Sequence, residues 1–328
     1  MPDLSTSYMG LKLKNPLIAS SSGLTSTLKD IKKIESAGAG AVVLKSLFEE
    51  EIITELEKNL NKMHSENYLY PETMEFYEDY DTEDTLTSYL KLITDCKQKI
   101  EIPVIASINC ITPYNWPYFA RSLQDAGADG LELNIFVLPS NMQNTGQDNE
   151  QIVLDIIEEV LKEVTIPVSI KISPYFSSLG NMIEKLSNSG IKGIVLFNRF
   201  YSPDIDIDGL EVRPSHIYSE PYESKLPIHW IGLSYNRVDC DLSASTGVHN
   251  PEIFIKLLLA GATTVQVASI IYKKGIKEIT ALINGLNMWM ENKEFNTIDE
   301  FRGMLSQSKI DNPAGYLRLQ FMKQFGQK

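Results

Sequence analysis

The chain has 328 residues, 43% of them hydrophobic and 22% charged, which is ample material for a large buried core. Its formal net charge of -13 repels phosphate backbones and excludes nucleic acid as an expected partner. Three cysteines (Cys96, Cys110, Cys240) and four scattered histidines show neither a disulfide framework nor metal-ligand spacing, so no metal is expected. No stretch has signal-peptide form and no apolar run approaches the ~18 residues of a membrane span, so a soluble, cytoplasmic protein is expected.

The opening "LSTSYMGLKLKNP" alternates and turns at Gly10, which predicts a hairpin beneath the remainder of the fold. Eight strands follow, over 15–21, 41–46, 103–109, 130–136, 167–173, 193–199, 242–246 and 264–270. Four of them share an entry: "AGAGAVVL", "AGADGLEL", "SGIKGIVL" and "AGATTVQV" each follow an amphipathic stretch. The glycine reads as a helix C-cap and the apolar run after it as a buried strand. Two more strands begin at proline, in "IPVIASIN" and "IPVSIKIS", where the missing donor costs least. The strands are short, apolar on both faces and mostly separated by helical patterns, which predicts a parallel sheet covered by helices. Eight such units closing on themselves make a TIM (β/α)8 barrel; the alternative is an open doubly wound sheet, although no GxGxxG opens the first helix. Residues 1–328 are expected to form one domain.

Two connections exceed the usual ~2–6 residues. One follows strand two from Leu47 to Asp84, acidic and rich in tyrosine. The other follows strand six from Phe200 to about Lys225. Both leave the face where such barrels place their chemistry, as lids and binding walls or as contact surface between subunits. The stretch from Thr297 reads as helical with a break at Asn312–Pro313.

The strand ends carry Ser20, Ser21 and Ser22, then Lys45 and Ser46, Ser107 and Asn109, Asn134, Lys171 and Ser173, Asn198, Ser245 with Thr246 and Gly247, and Ala268 with Ser269. Lysine is rarely buried without a partner. Lys45 and Lys171 therefore call for an anion or polarised carbonyl from a ligand, or for an internal carboxylate such as Glu132. The small residues of "STGV" and of "ASIIYKKG" let backbone N–H groups approach a phosphate after strands seven and eight.

With these residues placed, the chain resembles the class 1 dihydroorotate dehydrogenases and the related barrel of dihydropyrimidine dehydrogenase. The resemblance runs from "GLKLKNPLIASSSG" through "VVLKS", "PVIASIN", "LELN" and "KISPYF" to "GATTVQVAS" and "YKKG", nearly the whole chain. It implies an FMN-dependent oxidoreductase of pyrimidine biosynthesis that passes a hydride from a dihydropyrimidine to flavin N5, as a homodimer. By position, Ser21, Ser22 and Ser46 would line the flavin, and Lys45 and Lys171 would face its ring. Asn109 and Asn134 would bond the ring edge, and Thr246, Gly247, Ala268 and Ser269 would hold the phosphate. Asn67, Asn134 and Asn198 match the asparagines that bind the pyrimidine. The family's proton acceptor is a cysteine or serine in the loop after strand four, in N-L-[ST]-C-P-N. Here that motif reads "NIFVLP", with Val137 at the base position. Ser140, Thr145 or Cys110 could substitute, the substrate could need hydride transfer alone, or the barrel has lost dihydroorotate catalysis and acts on another compound or as a binding subunit. "HSENYLYPETM" also lacks the glycine-containing loop of the family, and the glycine pairs around strand seven are thinned to one each in "WIGLSYN" and "SASTGV".

Overall fold

The computed structural model describes residues 2–54, 85–110, 115–136, 138–199, 203–214 and 217–317. Strands β1 (Thr6–Tyr8) and β2 (Leu11–Leu13) pair antiparallel around Met9 and Gly10, both at positive φ, as a tight hairpin demands. Then come β3 (Leu17–Ala19), β4 (Ala41–Val43) with its continuation β5 (Leu47–Phe48), β6 (Val104–Asn109), β7 (Gly130–Asn134), β8 (Val168–Ile172) and β9 (Gly193–Leu196). The exposed hairpin β10 (Pro203–Asp206) and β11 (Glu211–Pro214) intervenes before β12 (Asp241–Ser245) and β13 (Thr264–Val267).

All pairings in the main sheet are parallel, and β4 pairs with both β3 and β6 while β13 returns to β3. The sheet therefore closes as an eight-stranded barrel, and the open-sheet alternative is gone. Helices α1 (Leu28–Ser36), α2 (Thr85–Lys99), α3 (Trp116–Asp125), α4 (Gly146–Glu163), α5 (Leu179–Ser187), α6 (Lys225–Ser234) and α7 (Pro251–Ala260) alternate with the strands. The short α8 (Ser269–Lys274) and longer α9 (Lys277–Asn292) follow the last one. The four repeat glycines, Gly38, Gly127, Gly190 and Gly261, sit at φ between 100° and 124°, so each ends its helix in a backbone region that side chains disfavour. Among the described residues no helix is long and apolar enough to cross a membrane.

The strands are not apolar on both faces. In β8, Val168, Ile170 and Ile172 join the helix-facing core, while Ser169 and Lys171 turn inward. The same alternation puts Ser107 and Asn109 of β6 and Glu132 and Asn134 of β7 inside. Below them Tyr8, Met9 and Leu13 of the hairpin pack with Ile18, Ala41, Val43 and Ile105, so the base of the barrel is plugged and apolar. Polar groups begin one layer above and continue to the rim.

Two expectations are corrected. The connection after strand six holds the β10–β11 hairpin, whose turn is built by Asp206 accepting the N–H groups of Asp208 and Gly209. From Thr297 to Asn312 the chain is a 3-10 turn (Ile298–Glu300) and a run of further turns rather than helix, and a helix begins at Ala314, just after the expected break at Asn312–Pro313. It still covers the barrel, because Phe301 and Ile298 are buried and the Gly303 and Leu305 N–H groups bond the carbonyls of Leu258 and Leu259.

Candidate active site

Strand alternation delivers the polar side chains to the C-terminal mouth. Ser20, Ser21, Lys171, Asn198, Thr246, Gly247, Ala268 and Ser269 line one cavity there, together with Gln266, Arg199 and Ser219. Its volume is about 140 Å³.

Two charged side chains line this cavity: Arg199, paired with Glu223 at 2.8 Å, and the buried Lys171, only 7% exposed. Its Nζ donates to Ser20 Oγ at 3.2 Å and to Gln266 Oε1 at 3.4 Å, and Ser20 Oγ donates to the same Oε1 at 3.0 Å. Gln266 Nε2 in turn donates to Glu132 Oε2 at 2.5 Å. Among the described residues no carboxylate pairs directly with Lys171; Glu132 stands one amide away. Burial pulls the amine below the usual lysine range, and the Glu132 charge draws it back up. Burial likewise pushes the Glu132 carboxyl up, against Lys171 and the Gln266 hydrogen bond. The carboxylate alternative for Lys171 is thus half realised, through a relay.

A second network joins the amides. Asn198 Nδ2 donates to Asn134 Oδ1 at 2.6 Å, and Asn134 Nδ2 donates to Ser46 Oγ at 3.2 Å. Asn109 Nδ2 donates to the Asn134 carbonyl at 2.9 Å. Ser46 Oγ also meets Ser21 Oγ at 3.1 Å and Ser107 Oγ at 2.8 Å. Asn134 and Lys171 are register partners on β7 and β8, which puts the amide network beside the amine. An ammonium ringed by amides and hydroxyls can neutralise a negative charge on a planar ring and bond that ring's edge.

Lys45 is not part of this group. Its Nζ pairs with Glu51 Oε1 at 2.8 Å in a separate surface pocket, with the side chain 40% exposed. The reason lies in register. Val43 pairs with Ile105, but Leu47 pairs with Ile108, so three residues of strand two face two of β6. This bulge inverts the in–out alternation. Ser46 turns inward to Ser107, and Lys45 turns away.

Ser22 caps the turn at Gly23–Thr25, and its buried Oγ has no hydrogen-bond partner among the described residues. Ser140 is exposed, and its N–H donates to the Leu138 carbonyl. Thr145 is engaged as the N-cap of α4, bonded to Asp148. Burial raises the Cys110 thiol far above its ordinary range, so it stays protonated. Val137 and Asn67 lie outside the described residues.

At the expected phosphate cradle, Ser219 from the strand-six connection already bonds the donors. Gly247 N–H donates to Ser219 Oγ at 3.3 Å, Ser219 N–H donates to Ser269 Oγ at 3.0 Å, and His249 Nε2 stands 3.1 Å from Ser219 Oγ. Any side chain at Gly247 would collide with the Ser224 backbone. Ser219 and Gln266 are the residues that the strand ends do not point to, and Glu132, expected only as an internal partner for a lysine, belongs to the same network. The alternation of "TVQV" and "LELN" contains the signal for Gln266 and Glu132, since a polar residue between apolar ones in a barrel strand points inward.

Comparison with known proteins gives one family. The family model described as dihydroorotate dehydrogenase matches residues 3–290. The catalytic subunit of dihydroorotate dehydrogenase B (NAD(+)) from Thermoplasma acidophilum is 25% identical over 319 residues, 93% of this chain and 99% of that protein. The corresponding subunit from Methanocella arvoryzae is 28% identical over 90% of this chain and 95% of its own. The NAD-dependent dihydropyrimidine dehydrogenase subunit PreA of Escherichia coli K12 is 24% identical over 94% of this chain and 78% of its own.

Proposed function

Because this chain belongs to the dihydroorotate dehydrogenase family and is a dehydrogenase of that kind, we propose that it binds FMN at the barrel mouth and oxidises a dihydropyrimidine there. The observation that carries the reading is the buried Lys171 amine beside the Asn134–Asn198 pair. These residues fit the ring of a flavin. The amine would hold the pyrimidine end, where negative charge gathers on reduction, and Asn109, Asn134, Ser21 and Ser46 would bond the ring edge. Bound FMN would supply the hydride acceptor. Asn198 and Asn134 would orient the substrate's amide edge against it, together with Asn67. In the proposal Lys45 contributes only after leaving Glu51, an exposed pair of the sort worth ~0–1 kcal/mol.

The phosphate end requires rearrangement. A cavity of about 140 Å³ is below the ~300–1,000 Å³ of ordinary ligand sites. The phosphate would take over the Gly247 N–H and the Ser269 hydroxyl from Ser219, with Thr246 and Ala268 lining it. The Ser219 segment would withdraw as FMN enters.

Substrate is the finer question. Dihydroorotate is the first candidate, which would place the protein in pyrimidine biosynthesis. The second reading is a flavin barrel that no longer oxidises dihydroorotate and serves another substrate or a partner subunit. The side chain at the base position favours it, because valine cannot accept the C5 proton, while Cys110 is held protonated and Thr145 is committed to its cap. A homodimer in the cytoplasm belongs to the same proposal. Anaerobic mixing of the FMN-loaded protein with dihydroorotate tests it. Bleaching of the flavin supports the first reading. A flavin that stays oxidised with dihydroorotate but is reduced by another dihydropyrimidine supports the second, and failure to bind FMN removes both.

A further inference from the structure

We infer that Glu132 and Lys171 operate as one unit, in which Glu132, acting through Gln266, is the positioning residue that keeps the Lys171 amine protonated and directed into the cavity. What the cavity binds rests on the flavin reading; the pairing itself does not. Glu132 is 1% exposed and lies a layer below the rim. One of its oxygens accepts from Gln266, and the other, Oε1, is buried without a hydrogen-bond partner among the described residues. Such a carboxylate is costly unless a cation compensates it. The groups that face it are Tyr8 from the basal hairpin, Tyr89 from α2 and Lys171 from β8. Of these only Lys171 can carry positive charge.

The amide settles the geometry. With Nε2 committed to Glu132, Gln266 must present Oε1 to the cavity side, and that oxygen accepts from both Ser20 and Lys171. The carboxylate thus fixes the amide's orientation, and the amide holds the amine at the cavity wall rather than letting it fold down into a direct ion pair. A direct pair would satisfy the lysine and leave nothing for a ligand. The relay leaves the barrel interior neutral overall while one cation still faces a ligand with delocalised negative charge, such as a reduced flavin ring. Without Glu132, burial acts unopposed and weakens the amine's hold on its proton; acidification returns it.

Two measurements test the unit. In the FMN-loaded protein, the flavin midpoint potential of Glu132→Gln at pH 8 should lie about 30 mV or more below wild type, a tenfold shift for two electrons. The gap should close toward pH 6, and Glu132→Asp should restore most of it, while Lys171→Met stays low at both pH values. An unchanged potential at pH 8, or a deficit that ignores pH, overturns the inference. In the flavin-free protein, urea unfolding of Glu132→Gln, Lys171→Met and the double variant forms a cycle. The double variant should be more stable than the sum of the single losses; additivity overturns the inference. If no flavin can be loaded, the proposed function fails, and this cycle still decides the pairing.

Discussion

Among the described residues, Lys171 is the one lysine buried at the mouth of this barrel. Lys171 can stay charged at 7% exposure because Ser20 and Gln266 accept from it and Glu132 stands behind them. Lys171→Ala should therefore lower the rate of flavin reduction by about 10²–10³, the cost of removing one preorganised electrostatic donor, as measured by anaerobic stopped-flow. A full reduction rate would show that the amine has no part. The opposite experiment applies at the base position. Val137→Cys should raise dihydroorotate turnover by up to ~10²–10⁴, the range a positioned base contributes; no gain would mean that the pocket around it has changed as well. At this scale the sequence was a guide to where Lys171, Asn109, Asn134 and Asn198 are placed, since a polar residue ending an apolar strand has few places to go. Lys45 points away from the mouth in this structure for a physical reason. Its in–out assignment depends on the partner strand's register, and the one-residue bulge before Leu47 has no mark in the residues themselves.

Elements carry the next level. The four repeats announce their strands because glycine at a helix C-terminus and an apolar run are both local signals. At Gly261, φ is +124°, and a Cβ would collide with the Tyr235 ring. Gly261→Ala should thus cost more than about 1 kcal/mol, seen as a lower urea midpoint at unchanged slope. Equal stability would show that the α7 terminus can relax. The connection after strand six was legible in position and length, but its hairpin was hidden by proline and aspartate at the strand ends. Its Ser219 contact was not legible at all, because it joins residues 28 and 50 positions apart. Ser219→Ala frees the Gly247 N–H from a hydrogen bond worth about 1 kcal/mol. FMN should then bind about fivefold tighter by fluorescence quenching, and weaker binding would make Ser219 a ligand of the phosphate instead.

For the whole molecule, closure is what turns scattered residues into a site. Ser20, Asn134, Lys171, Asn198 and Thr246 come from five different strands, and only the β13–β3 and β4–β6 pairings bring the first and last of them to one mouth. The basal hairpin seals the other end with apolar side chains, so the polar interior opens in one direction. The barrel itself could be read from eight short strands, most of them separated by helical patterns. That its inner layer is polar could not be read from composition, only from the alternation within each strand. The same closed mouth, a cation ringed by amides, is what the flavin reading rests on. The most direct measurement is the visible absorption spectrum of the purified protein after supply of FMN, recorded before and after addition of orotate. The account predicts a bound flavin spectrum whose long-wavelength band shifts when orotate enters beside Asn134 and Asn198. A protein that remains colourless with FMN present would contradict the flavin site, and a flavin band that orotate leaves unmoved would contradict the pyrimidine site.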